Sequence, residues 1–140
     1  MTAIIIAIIG ASATLFGAAL TYYLTKKQQI DKEWRDAKIN HYKVLLTSIS
    51  DLVVDGIDKN EANMRFALAL NTIALVAPQY VVSALMNFHD EIKFSNPNKK
   101  PENHDKLLIE LLLAIRKDIK ISEKDDPKTF RFHLIGTSPK

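Results

Sequence analysis

The side chains most able to do chemistry are few. Arg35-Asp-Ala-Lys-Ile-Asn-His41 sets a fixed cation six residues before a proton carrier. On a helix that step turns about 600°, so the two side chains diverge by about 120° and do not share a face. The four histidines, His41, His89, His104 and His133, include no pair at close metal-ligand spacing, and no metal or cofactor is expected. Cysteine is absent, which excludes disulfides, thiolate zinc sites, iron–sulfur clusters and a cysteine nucleophile. Gly10, Gly17, Gly56 and Gly136 are too scattered for a phosphate-binding loop. Asp90-Glu91 and Asp125-Asp126 read as helix-surface and loop charges. With so little catalytic material, the distribution of apolar residues carries more of the argument.

The chain has 140 residues, 47% hydrophobic and 25% charged. That composition suits a folded protein, yet residues 1–25 contain none of its 35 charged side chains. Residues 2–24, TAIIIAIIGASATLFGAALTYYL, would span about 34 Å as a helix, enough for a hydrocarbon core of about 30 Å. Tyr22 and Tyr23, then Lys26 and Lys27, match a membrane–water boundary. A cleaved signal peptide needs a basic stretch before the apolar run, and none precedes it. The reading is an uncleaved single-pass membrane anchor. Basic residues lie only after the span, which places the N-terminus outside and the remainder in the cytoplasm. Within the anchor, Ala3, Ala7, Gly10, Thr14, Gly17 and Thr21 are spaced 4, 3, 4, 3, 4, a seam of small residues that lets helix backbones approach in lipid. It predicts a homo-oligomer packed through its anchors, with Thr14 and Thr21 bonding across helices or facing water.

Three parts are expected: an anchor and oligomer seam over 1–25, a cytoplasmic helical bundle over 26–121, and a C-terminal tail over 122–140. Neither Pro nor Gly interrupts residues 18–55, so the anchor should continue as one helix, burying Ile30, Trp34, Ala37, His41, Leu45, Ile49, Leu52 and Val53. Gly56 should end it. Asp58 and Glu61 form a capping-box pattern for a second helix to about Val76; Pro78 separates a third, Gln79 to Lys93. Residues 95–103 read as a loop, with Asn103 capping a fourth helix to about Ile121 that buries Leu107, Leu108, Leu111, Leu112, Ile115 and Ile119. Thr129–Ile135 alternates and should lie extended against the bundle edge. Phe66–Phe88 is also uncharged, but Asn71, Gln79, Ser83 and Asn87 are costly in lipid, so two amphipathic helices are expected rather than a second span.

Net charge is +3 over residues 26–50, −3 over 51–95 and +3 over 96–140. The basic blocks suit anionic lipid heads and could attract RNA; a solvated surface explains them equally well.

The closing helix, ending Leu-Leu-Leu-Ala-Ile-Arg-Lys-Asp118, the Ala62-Asn-Met-Arg-Phe66 opening and the Asn-Phe-His-Asp90 turn suggest a family. The chain resembles the membrane-anchored HEPN-like accessory proteins encoded beside RNA-targeting type VI CRISPR effectors. The resemblance implies an all-α fold, a transmembrane helix continuous with a long first helix and then a small divergent HEPN-like bundle. It implies a place in the bacterial inner membrane, assembly as a ring, a membrane pore that depolarises the infected cell, and a functional partnership with an RNA-guided, RNA-targeting effector. Ribonucleases of HEPN type use an Arg–His pair on the RNA phosphate and 2′-hydroxyl. Arg35 and His41 match its spacing, but such pairs more often sit late in the fold, so ribonuclease activity is not the first expectation. The alternatives are a membrane-tethered ribonuclease and an anchored, non-enzymatic adaptor.

Overall fold

A computed structural model describes residues 1–54, 56–121 and 124–134. It is all-α: α1 (Thr2–Val53), α2 (Lys59–Val76), α3 (Gln79–Ile92) and α4 (Pro101–Asp118), with no strand among the described residues. The chain divides into two compact units, Met1–Ala37 and Lys38–Lys140, and α1 contributes to both. The first unit is helix alone, and every one of its side chains is exposed.

The second unit is a four-helix bundle around one core. Tyr42, Leu45 and Ile49 of α1 meet Phe66 and Ile73 of α2, Val81, Leu85 and Phe88 of α3, and Leu108, Leu111, Leu112 and Ile115 of α4. The charge-free Phe66–Phe88 stretch is divided at Ala77-Pro78, and both halves bury their apolar faces in this core. Among the described residues only α1 is long and apolar enough to cross a membrane.

Several expectations need adjustment. In α1 the buried register is Tyr42, Leu45, Ser48 and Ile49. His41 is only half-buried, while Ile30 and Trp34 lie exposed in the first unit. Tyr42 supplants its neighbour because its ring fills the core while its hydroxyl finds an acceptor at the edge. The capping box at α2 is half formed. Asp58 Oδ1 accepts from the Asn60 and Glu61 amides, but Glu61 turns to Arg65 Nη2, 2.6 Å away. Helix α4 starts at Pro101, two residues before Asn103, because proline's missing N–H costs nothing in a first turn. It stops at Asp118 rather than Ile121. There Lys120 enters the left-handed region (φ 58°), and the Ile121 and Lys120 amides donate to the carbonyls of Arg116 and Lys117. That is a Schellman closure built on a lysine.

The end of α1 is closed from outside. It has no basic residue in its last turn, and Lys59 Nζ instead donates to the carbonyls of Leu52 and Val54. Gly56 takes φ 88°, a conformation that suits glycine, and reverses the chain. Beyond α4 the tail keeps its alternation without pairing as a strand. Phe130, Phe132 and Leu134 pack on the core, while Arg131 and His133 are exposed. Ile135 lies outside the described residues.

Candidate functional site

The feature with the largest energetic consequence is the apolar start of α1, residues 2–24, which nothing in a single copy covers. Ile4, Ile5, Ile6, Ile8, Ile9, Leu15, Phe16, Leu20 and Leu24 are all exposed, and the most apolar 18-residue window has a mean hydropathy of 2.3 with none of it buried. Taking nine such side chains out of water is worth about 10–20 kcal/mol, comparable to the whole stability of a small domain. Such a segment needs a lipid or protein surround.

Helical geometry divides its circumference. At 100° per residue, Ala3, Ala7, Gly10, Thr14, Gly17 and Thr21 fall within an arc of about 80°. Ile4, Ile5, Ile8, Ile9, Leu15, Phe16 and Leu20 fall on the other side. A Cβ built on Gly10 or Gly17 meets no atom within 4 Å, so neither glycine is required by packing inside one chain. Thr14 Oγ1 donates back to the carbonyls of Gly10 and Ala11 at 3.0 and 2.9 Å, and Ser12 Oγ to that of Ile8 at 2.8 Å. The Thr14 hydroxyl proton is therefore used within its own helix, leaving its oxygen lone pairs for a neighbour. Tyr22, Tyr23, Lys26 and Lys27 follow the apolar stretch and are exposed.

The Arg35 and His41 side chains enter different settings. Arg35 is exposed in the first unit; His41 is half-buried in the second. His41 lines a groove of about 630 Å³ between α1 and α2, together with Lys43, Val44, Thr47, Leu68 and Thr72. Both residues belong to α1. Among the described residues no group of three or more His, Asp and Glu side chains is placed to hold a metal ion.

A polar cluster that sequence alone did not reveal ties α1 to α4. Asp118 accepts from Lys38 Nζ at 3.0 Å through each oxygen and from the Tyr42 hydroxyl at 2.6 Å. Burial first, then the hydrogen bond to Asp118 and its charge, push the Tyr42 phenol well above its ordinary pKa. Tyr80 is raised too, by burial and then by the charge of Asp118, and Lys117 Nζ sits 5.5 Å over its ring. Next to them Arg116 pairs with Asp125 at 2.7 Å and stacks over Phe130 at 5.4 Å. The Ile115-Arg-Lys-Asp118 stretch is thus occupied residue by residue in holding the bundle together. The only signal for it was a run of charges at the end of an apolar helix. Comparison with family models, with curated proteins and with solved structures finds no match.

Proposed function

We propose that this protein is a homo-oligomeric membrane pore. Helix α1 crosses the bacterial inner membrane once, with the N-terminus outside and the four-helix unit in the cytoplasm. Tyr22 and Tyr23 sit at the boundary, and Lys26 and Lys27 meet the lipid headgroups. Copies pack through the small-residue arc, and the assembled helices enclose a path lined by Gly, Ala and Thr. Conduction through it depolarises the membrane. The carrying observation is the 80° arc of small residues on a helix whose apolar side chains no part of the chain covers.

The sequence resemblance to HEPN-like accessory proteins supports the wider setting. There the bundle is a divergent, non-catalytic HEPN-like module, and the pore reinforces an RNA-guided, RNA-targeting defence effector. The first test is the mass of the detergent-solubilised protein by light scattering, corrected for bound detergent. A defined particle of many subunits is expected, followed by ion conductance in planar bilayers. A monomer or simple dimer without conductance would overturn the proposal and leave an anchored adaptor or ribonuclease. Incubation of RNA with the purified protein then separates those two.

A further inference from the structure

We draw no further inference here: the strongest candidate, the apolar α1–α2 groove of about 630 Å³ in which Val44 and Leu68 stay exposed, is an unpartnered face, and nothing in the structure shows what covers it.

Discussion

At the scale of single residues, Asp118 has the most demanding position. It ends α4, where the carbonyl end of the helix disfavours a carboxylate, and its side chain is 10% exposed. Lys38 and Tyr42 offset both costs, so each contributes to stability more than a surface partner would. Tyr42→Phe keeps the ring in the core and removes only the hydrogen bond to a charged acceptor. It should cost about 2 kcal/mol, read as a lower denaturation midpoint of the full chain in mild detergent. The same residue gives a pH signature. Its pKa is raised in the folded state, so its contribution is complete below the unfolded value of about 10 and is lost as pH rises beyond it. Stability should fall above about pH 10, and Tyr42→Phe should flatten that slope; an unchanged slope would show that Tyr42 is not its source. Lys120 offers the opposite case. A lysine at φ 58° carries a steric cost that glycine lacks, so Lys120→Gly should stabilise the chain by about 1 kcal/mol in the same measurement.

At the scale of elements, the prediction with the cleanest background concerns Gly10 and Gly17. A Cβ at either position meets nothing inside one chain and the neighbouring side chains are all exposed, so Gly10→Leu and Gly17→Leu should leave helicity and bundle stability unchanged. On the proposed assembly both should lower the mass of the detergent-solubilised particle, because a large side chain would separate helices packed through the small-residue arc. An unchanged mass would remove the arc from the interface. Which elements exist was largely legible beforehand: period, glycine and proline placed four helices within a few residues of their ends. The inward residues of α4 followed from their spacing, and all six lie in or against the core. What failed to be legible depended on partners distant in sequence. Position 41 and position 42 are both compatible with an apolar stripe, and only the Asp118 carboxylate on another helix selects tyrosine for the inside. Glu61 left its capping role for Arg65, which itself bridges to Asp51 fourteen residues away. Nor could spacing show that the Arg35 and His41 side chains enter different environments.

At the scale of the whole molecule, the two units differ in what covers them. The first unit buries none of its side chains within the chain; the second has a complete core of its own, fed by all four helices. The division falls at Ala37–Lys38, and the residues that fasten the end of the bundle, Lys38, Tyr42 and Asp118, all lie on the second side. A fragment covering residues 38–140 therefore keeps every contact of that core. It should be helical in water without detergent and unfold in one cooperative transition. On the proposed assembly it should also be monomeric at micromolar concentration, because the first unit, where that proposal seats the contacts between copies, is gone. Sedimentation and thermal circular dichroism on the fragment check both points. A fragment that is soluble but unfolded would mean that the bundle needs the remainder of α1 to hold its first helix. A folded, stably oligomeric fragment would move the proposed seat of assembly from the first unit to the second, and Gly17→Leu in the full chain should then leave the particle intact.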